Sequence, residues 1–201
     1  MDEQTKELIK QMQQGSQAAF DEIYRREAGK LYRLAYLIAG NHSDSEDILQ
    51  ETFVKCFLHC RELKQPEGFE KWLTQILIRT AWRFLKKHKQ VISLDEFCEK
   101  EEGSGYQEKL LEDTVSPGPL EQILCRESEG QVFQAVKQLN LKVRTVIILY
   151  YYQEYSVGDI ARMTGSLEGT VKSRLYTGRK LLKKQLEHTE IAMEFGRRAP
   201  Q

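Results

Sequence analysis

Apolar residues recur every three or four positions along most of this 201-residue chain, and this spacing predicts amphipathic helices. No stretch of useful length alternates apolar and polar residues, so strands are not expected. Clusters of glycine, proline and small polar residues divide the helical pattern into short, closely connected elements. The pattern therefore predicts an all-α fold.

Three helices are predicted within the first 90 residues. The second begins near Ser45 and ends before Pro66, and the third runs from about Phe69 to His88. The segment that starts at Gly40 is predicted to end the first helix and to precede the start of the second. The first helix has one apolar face, which consists of Phe20, Ile23, Tyr24, Leu31, Leu34, Ala35 and Ile38.

A different composition separates this half of the chain from the rest. Residues 91–118 contain Glu-Lys-Glu-Glu-Gly-Ser-Gly and end in Ser-Pro-Gly, a composition typical of a linker. Basic and acidic residues number 15 and 13 in 1–90, 2 and 8 in 91–118, and 13 and 9 in 119–201. The neutral total thus divides into +2, −6 and +4. We expect two small helical domains, 1–90 and 119–187, joined by a flexible acidic linker, with a tail at 188–201.

The C-terminal domain is predicted to be a helix-turn-helix. Ser156 is placed to cap a short helix, with Asp159 three residues later as its capping-box partner. Gly165 permits a tight turn, and Ser166 is placed to cap the next helix. The second helix has one apolar stripe, made of Leu167, Val171, Leu175, Gly178 and Leu182.

The opposite face of that second helix is predicted to contact duplex DNA. Between residues 167 and 184 there are six basic side chains and one acidic one, which suits phosphates. A charge run alone is more often a solvated face, but the caps, turn and spacing together favour a DNA-binding helix. The candidate contacts are Ser166, Glu168, Gly169, Thr170, Lys172, Ser173, Arg174, Tyr176, Thr177, Arg179 and Lys180.

An acidic and polar strip in the second N-terminal helix is a candidate docking surface for another protein. Asp47, Gln50 and Glu51 lie on one side of this helix, beside Phe53, which is predicted to be exposed. The alternative is an ordinary capped helix, because acids in a first turn favour the helix dipole.

The third N-terminal helix interleaves aromatic and cationic residues. Aromatic rings stack on bases while cations hold phosphates, so this composition suits unpaired DNA or RNA. By periodicity Trp72 and Ile76 face inward, and only part of the aromatic set is therefore available to nucleic acid. The interleaved residues are Trp72, Arg79, Trp82, Arg83, Phe84, Lys86, Lys87 and Lys89.

Composition excludes several other classes. No apolar run is long enough to span a membrane and no signal-peptide pattern is present, so a cytoplasmic location is expected. The four cysteines lack paired zinc-site spacings and suit a reducing compartment. The grouping of Cys56, His59 and Cys60 lacks further ligands, so neither a metal nor a cofactor is expected. No catalytic motif occurs, and the protein is predicted not to be an enzyme.

Three motifs, in this order and spacing, resemble the extracytoplasmic-function group of bacterial RNA polymerase sigma factors, the compact branch of the sigma-70 family. Ser45-Glu-Asp-Ile-Leu-Gln-Glu-Thr-Phe-Val-Lys is similar to the family's core-polymerase binding segment. Phe69-Glu-Lys-Trp-Leu-Thr-Gln-Ile-Leu is similar to its promoter-recognition helix, and Gly169-Thr-Val-Lys-Ser-Arg-Leu to its helix-turn-helix. Arg79 and Arg83 depart from the Asn and Asp often found there, and Gly178 stands where Ala is common.

The resemblance implies a division of roles along the chain. Asp47, Gln50, Glu51 and Phe53 would contact the clamp helices of the polymerase largest subunit, and residues 166–180 would bind the minus-thirty-five element. The loop from Arg61 to Phe69 would help capture an extruded base of the minus-ten element. An anti-sigma protein, membrane-associated or soluble, is a further implied partner. The minus-ten contacts would be Lys71, Arg79, Trp82, Arg83, Lys86 and Lys87.

Two other function classes stay open from the residues alone. A stand-alone helix-turn-helix regulator would use only the C-terminal domain, with the N-terminal clusters serving as core and surface. An interaction protein that sequesters a regulator would use its helical surfaces without DNA. Dependence of DNA binding on polymerase, and its sensitivity to salt, separate these classes from a sigma factor.

Overall fold

The computed structural model describes residues 3–98 and 127–186, and within these ranges the chain forms α-helices, two 3₁₀ turns and connecting loops, with no strand. The all-α prediction is therefore confirmed. The 3₁₀ turns are Cys60–Glu62 and Pro66–Gly68. The helices are α1 (Glu3–Gln13), α2 (Gln17–Ala39), α3 (His42–His59), α4 (Phe69–Cys98), α5 (Glu127–Lys137), α6 (Leu141–Tyr151), α7 (Val157–Thr164) and α8 (Glu168–Leu186).

The N-terminal domain is built on α2, α3 and α4, whose ends follow local capping rules. The Ser16 side chain accepts a hydrogen bond from the backbone of α2, which ends at Gly40 in the left-handed conformation with φ 87°. The Asn41 side chain then caps α3, so this helix begins at His42 rather than near Ser45. The helix predicted to end at His88 continues to Cys98, which lies inside the expected linker.

Helix α1 was not predicted, and it closes one end of the N-terminal core. Ile9 and Met12 are fully buried or nearly so, at 0% and 1% exposure. At its C-terminus Gln13 Nε2 donates to the backbone carbonyls of Cys60 and Leu63 at 2.9 and 2.7 Å. This amide ties the turn that follows α3 to the end of α1, because it donates to two carbonyls of the turn at once.

The C-terminal domain places the predicted helix-turn-helix on α7 and α8. The Ser156 hydroxyl accepts from the backbone N–H of Asp159 and donates to its carboxylate at 2.8 Å. Gly165, with φ 60°, ends α7 and turns the chain toward α8. The expected cap at Ser156 and the expected turn at Gly165 are thus present. Helices α5 and α6, which were not predicted individually, supply the surface on which α7 and α8 pack.

Helix α8 approaches α6 closely at Gly178. A Cβ atom on Gly178 would lie 2.6 Å from Ile147 Cγ1 and 3.1 Å from Val143 Cγ1. Ile147 is itself only 3% exposed, so its side chain has little room to move. Glycine therefore serves helix packing here, and its low helix propensity is the accompanying cost.

The two domains pack directly against each other. The rings of Tyr36 in α2 and Phe133 in α5 stack with centroids 5.2 Å apart and an interplanar angle of 4°. Farther along the contact, the Trp82 indole in α4 donates to Thr145 Oγ1 in α6 at 3.0 Å. The expected acidic linker, in its portion 99–118, and the expected tail at 188–201 lie outside the described residues. Within the described ranges, no helix combines the length and apolar character that crossing a membrane requires.

We expect Gly178→Ala to destabilise the protein although alanine favours helices. The gain in helix propensity is about 1 kcal/mol, whereas forcing a methyl group into a packed interface costs about 1–3 kcal/mol. The net loss should be about 1 kcal/mol in the free energy of unfolding, measured with urea.

Gly169→Ala is the matched control, because Gly169 lies in the same helix and a methyl group added there would meet no neighbouring atom within 4 Å. Its stability should be unchanged or higher by up to about 1 kcal/mol. Combining Gly178→Ala with Ile147→Val should restore part of the loss. Equal gains at the two glycines would contradict the packing explanation.

Candidate nucleic-acid interface and docking surface

The outer face of α8 is the first candidate interface, and the structure presents most of its predicted contacts to solvent. The buried stripe of this helix is Val171, Leu175, Gly178, Leu182 and Leu186. Because successive side chains are rotated by about 100°, the residues between them point away from the domain. The exposed predicted contacts are Glu168, Gly169, Lys172, Ser173, Tyr176, Thr177 and Lys180.

Three predicted contacts on α8 and its N-terminal turn have partners inside the domain. Arg174 Nη1 donates to the Ser166 hydroxyl at 3.0 Å. This hydrogen bond joins the turn before α8 to a side chain of the helix itself. Arg179 Nε donates to the Tyr151 hydroxyl at 2.7 Å, and its guanidinium lies 5.7 Å from the ring centroid of Tyr150. These arginines hold α8 in place within the domain, which reduces their freedom to reach DNA.

Leu167 lies just before α8 and is 80% exposed. Its assignment to the buried stripe was wrong, because it precedes the first helical residue, Glu168, and no neighbouring helix covers it. An exposed leucine at the N-terminal end of a major-groove helix is suited to thymine methyl groups. Sequence periodicity could not reveal that Leu167 is exposed. Periodicity gives the direction in which a side chain points from the helix axis, but it does not show whether another helix lies in that direction.

The second candidate interface is the cationic face of α4. Arg79, Lys86 and Lys87 are exposed as expected. Arg83 is 64% exposed along its side chain and forms an ion pair with Glu51 in α3. The two remaining predicted contacts, Lys71 and Trp82, make hydrogen bonds to the C-terminal domain.

A cleft of about 270 Å³ adjoins this cationic face, between α4 and the end of α3. Trp72 forms an aromatic wall, and the His59 ring shares a hydrogen bond with Glu62 at 2.7 Å. Lys55 and Arg79 contribute cations. Aromatic and cationic groups around one cleft match what an unstacked base and its phosphate require. His59 and Lys55 were not predicted, because they lie on α3 rather than on the aromatic helix, whereas Glu62 belongs to the loop from Arg61 to Phe69 that the resemblance implied for base capture.

In the predicted docking surface, the aromatic residue Phe53 is buried rather than exposed. Phe53 is only 3% exposed, because its ring packs against Phe20 and Tyr24, with centroids 6.3 and 4.6 Å away. The expected exposure of Phe53 was therefore wrong. Asp47 and Gln50 are exposed as predicted.

An apolar groove of about 450 Å³ lies between α2 and α3, beside these polar residues. Leu58 and Val54 are 66% and 57% exposed, and Phe57 and Tyr24 are 43% and 42% exposed. Large apolar side chains grouped at the surface in this way mark a protein-binding site. The sequence contains a signal for this groove, because α3 has apolar residues on two faces. One apolar face is enough to pack a helix against the core, so the second face is left for the surface.

Glu51 does not present a free carboxylate to a docking partner. Its Oε1 atom lies 3.2 Å from Lys55 Nζ, and it also pairs with Arg83. Lys55 in turn donates to Thr80 Oγ1 at 2.7 Å. This chain of polar contacts joins α3 to α4, so Glu51 contributes to the relative placement of the two helices.

The described residues contain no group of three or more histidine, cysteine or acidic side chains placed to hold a metal ion. Cys56 and Cys60 are buried free thiols. Burial, and secondarily the neighbouring Cys60, raises the pKa of Cys56 to about 12. Since the thiolate is the reactive form, Cys56 is poorly suited to sensing oxidation.

Two family models match the chain, one in each domain. The model described as "Sigma-70 region 2" matches residues 23–91, which include α3 and most of α4. The model described as "Sigma-70, region 4" matches residues 129–182, which include most of the helix-turn-helix.

Curated relatives match over nearly the whole chain. The "ECF RNA polymerase sigma factor SigW" of Bacillus subtilis is 32% identical over 186 residues, covering 92% of this chain and 98% of the relative. The "RNA polymerase sigma factor SigV" of the same organism is 30% identical, covering 80% of this chain and 87% of the relative.

Solved structures share the fold. A sigma factor RpoE in complex with the anti-sigma factor NepR, from Bartonella quintana, superposes with a TM-score of 0.62 at 20% identity, covering 85% of this chain and 98% of the other. CnrH in complex with the cytosolic domain of CnrY gives the same TM-score at 18% identity, covering 92% and 99%.

We expect Cys56 and Cys60 to resist modification in the folded protein. In a Cys98→Ser/Cys125→Ser background, a chromogenic disulfide reagent at neutral pH should detect almost no thiol until denaturant is added. The reasons are burial and, for Cys56, a raised pKa that leaves little thiolate. Rapid labelling of two thiols per chain without denaturant would contradict this expectation.

Proposed function

The chain belongs to the extracytoplasmic-function branch of the sigma-70 family of RNA polymerase sigma factors, and from this premise we propose which surfaces carry each step of initiation. The protein is an RNA polymerase sigma factor. It acts by binding, because a sigma factor supplies promoter recognition to a polymerase that performs the chemistry. A cytoplasmic location follows from that partner.

The groove between α2 and α3 is the proposed docking site for the polymerase core. Its centre is Leu58 and Val54, which offer apolar area that the folded chain does not bury. Asp47 and Gln50 form a polar rim, which is the usual anatomy of a protein interface. The partner surface is the clamp helices of the polymerase largest subunit. This exposed groove carries the proposal, since a stand-alone helix-turn-helix regulator has no need of it.

The cationic face of α4, together with the adjoining cleft, is the proposed site for the minus-ten element. Arg79, Lys86 and Lys87 would hold the phosphates of the opened strand. Trp72 in the cleft would stack on an extruded base, an interaction worth about 1–3 kcal/mol. Trp82 would join this surface once its present partner in the C-terminal domain is removed.

The outer face of α8 is the proposed site for the minus-thirty-five element. Lys172 and Lys180 would contact phosphates, while the exposed side chains of Ser173, Tyr176 and Leu167 would meet base edges in the major groove. Arg174 and Arg179 support this face from within the domain.

An anti-sigma protein is the proposed regulator. The two similar solved structures with a TM-score of 0.62 are complexes of a sigma factor with NepR and of CnrH with CnrY. Such a regulator would exclude polymerase by covering the same apolar groove that polymerase requires. Release from such an inhibitor, in a stress or cell-envelope response, is the proposed route to activity.

Run-off transcription from genomic fragments with purified core polymerase tests the function. New start sites should appear only when the wild-type protein is added. We expect Leu58→Glu to weaken core binding by about tenfold or more, because a charge then enters the centre of the apolar interface. Binding is measured by fluorescence anisotropy, and start sites should diminish in parallel.

Leu181→Glu is the matched control for core binding, because it makes the same kind of change at an apolar residue of α8 that is 42% exposed. Circular dichroism establishes that both variants are folded. If both weaken core binding equally, the groove is not the docking site. Polymerase-independent DNA binding without new start sites would instead support a stand-alone regulator.

Two basic residues of α8 should respond differently to truncation. Lys172→Ala should weaken promoter binding by the polymerase complex and reduce the salt dependence of that binding by about one phosphate contact. Arg179→Ala should chiefly lower stability, by about 1 kcal/mol, because it loses Tyr151 as an acceptor and its contact with the Tyr150 ring. A salt slope reduced by Arg179→Ala at unchanged stability would reverse these assignments.

A further inference from the structure

The C-terminal end of α1 contacts one wall of the base-capture cleft, the cleft between α4 and the end of α3. Glu62 lines this cleft from the 3₁₀ turn that follows α3. Gln13 Nε2 donates to the backbone carbonyls of Cys60 and Leu63 at 2.9 and 2.7 Å. These two carbonyls lie on either side of Glu62 in the chain. A single amide therefore holds the backbone before and after the carboxylate that lines the cleft.

The same turn also donates a hydrogen bond to α1. Arg61 Nε donates to the backbone carbonyl of Gln13 at 3.3 Å. Because Gln13 is the last residue of its helix, this carbonyl has no acceptor role within the helix. Cys60 Sγ lies 3.8 Å from the carbonyl oxygen of Met12. The end of α1 and the turn after α3 thus exchange hydrogen bonds in both directions.

A second contact from α1 holds the other end of the loop from Arg61 to Phe69. Lys6 Nζ lies 3.2 Å from Glu67 Oε1, in the 3₁₀ turn that precedes α4. Lys6 and Gln13 are about two helical turns apart, so both lie on one face of α1. This one helix therefore supports the loop near its start and near its end.

Packing of α1 on the domain does not depend on these polar contacts. Ile9 and Met12 provide that packing, because both are almost completely buried. Gln13 lies at the edge of the core and is partly exposed. Burial of large apolar side chains stabilises a fold more than partly exposed polar contacts do. The hydrogen bonds of Gln13 are therefore suited to orienting the loop rather than to holding α1 in place.

The width of the cleft depends on where this loop lies. The aromatic wall, Trp72, belongs to α4, whereas the Glu62 carboxylate belongs to the turn after α3 and shares a hydrogen bond with the His59 ring. A base that enters between these groups requires each of them to be held within about 0.5 Å of its binding position. Helix α4 fixes the position of Trp72, and Gln13 fixes the turn that contains Glu62.

We propose that α1 positions the base-capture cleft: Gln13, together with Lys6, holds the loop from Arg61 to Phe69 in the geometry that accepts an extruded base. The inference rests on the proposed function of the cleft and deepens it. It gives a role to α1, which precedes residues 23–91, the part of the chain that the sigma-70 region 2 model matches. Gln13 acts through the backbone of the loop and is a positioning residue rather than a DNA contact.

Gln13→Met tests the inference, with Gln14→Met as the matched control. Methionine has a side chain of similar length but no N–H donor, and Gln14 is the adjacent, exposed glutamine. The probe is a fluorescent fork-junction DNA with an unpaired non-template strand, taken from a promoter found by run-off transcription. It is titrated with holoenzyme reconstituted from core polymerase and the full-length protein. A series of forks, each with one unpaired nucleotide replaced by an abasic site, measures how much each base contributes to affinity.

Removal of the captured base should affect the two variants differently. With the wild-type protein and with Gln14→Met, one abasic site should weaken binding by about tenfold, as expected for the loss of a stacked base. With Gln13→Met the same abasic site should weaken binding by no more than about threefold, because only the intact fork loses affinity. Affinity for core polymerase should be unchanged.

Equal effects of the abasic site on Gln13→Met and Gln14→Met would overturn the inference. A variant that merely damages the fold would bind the intact and abasic forks less tightly by the same factor. Its abasic effect would then match that of the control, so a purely structural role of Gln13 is recognised by this result.

Lys6→Glu is a second variant, which acts at the far end of the loop and at the protein surface. It replaces the attraction to Glu67 by repulsion and should reduce the abasic effect by about twofold, as expected for an exposed ion pair. The double variant Lys6→Glu/Glu67→Lys again has opposite charges and should recover the wild-type effect. An unchanged abasic effect in Lys6→Glu, or a reduction that the double variant does not recover, would overturn the role of Lys6.

Failure of the proposed function has a different signature. If no abasic site weakens binding by the wild-type holoenzyme, the cleft does not capture a base, and both its proposed function and the inference are overturned. If the wild-type protein shows the abasic effect and Gln13→Met shows it equally, the cleft keeps its function and only the role of α1 is removed.

Discussion

Each binding helix of this chain has to bury one face while leaving the other free for a partner, and the rest of the structure depends on that constraint. In α8 the buried stripe that includes Val171 and Leu175 fixes the helix in its domain, and Lys172 and Tyr176 point outward as a consequence. In α3 the burial of Ile48 similarly leaves Leu58 exposed. Rigid packing is therefore what positions each exposed surface, because a helix that could rotate would bury its partner-binding residues.

The cationic side chains divide into two groups by their hydrogen bonds. Arg174 and Arg179 are held by a serine and a tyrosine within the C-terminal domain, and each is only partly exposed. Lys172 and Lys180 remain on the outer surface. Guanidinium groups suit the first role because they form directed bonds and stack on aromatic rings, while lysines provide mobile charge for phosphates. Counting basic residues along the helix does not make this distinction.

The elements predicted correctly are those whose signals lie within a few residues of one another. Ser156 and Gly165 mark the ends of α7 through local backbone geometry, which a sequence carries directly. Phe53 and Leu167 were assigned incorrectly because burial depends on which other helix is adjacent, and this is not a local property. The hydrogen bond between Lys71 and Asp159 joins residues 88 positions apart, and no spacing rule predicts it.

The interdomain contact changes how affinity should be understood in this protein. When a binding surface is closed in the main conformation, its apparent affinity falls by the fraction of molecules that are open. In the proposed assignment Lys71 and Trp82 bind DNA, whereas in the structure they hydrogen-bond to Asp159 and Thr145, so stabilising one set of contacts weakens the other by the same free energy. A partner that binds the exposed groove with equal affinity in both states leaves the populations of the two states unchanged.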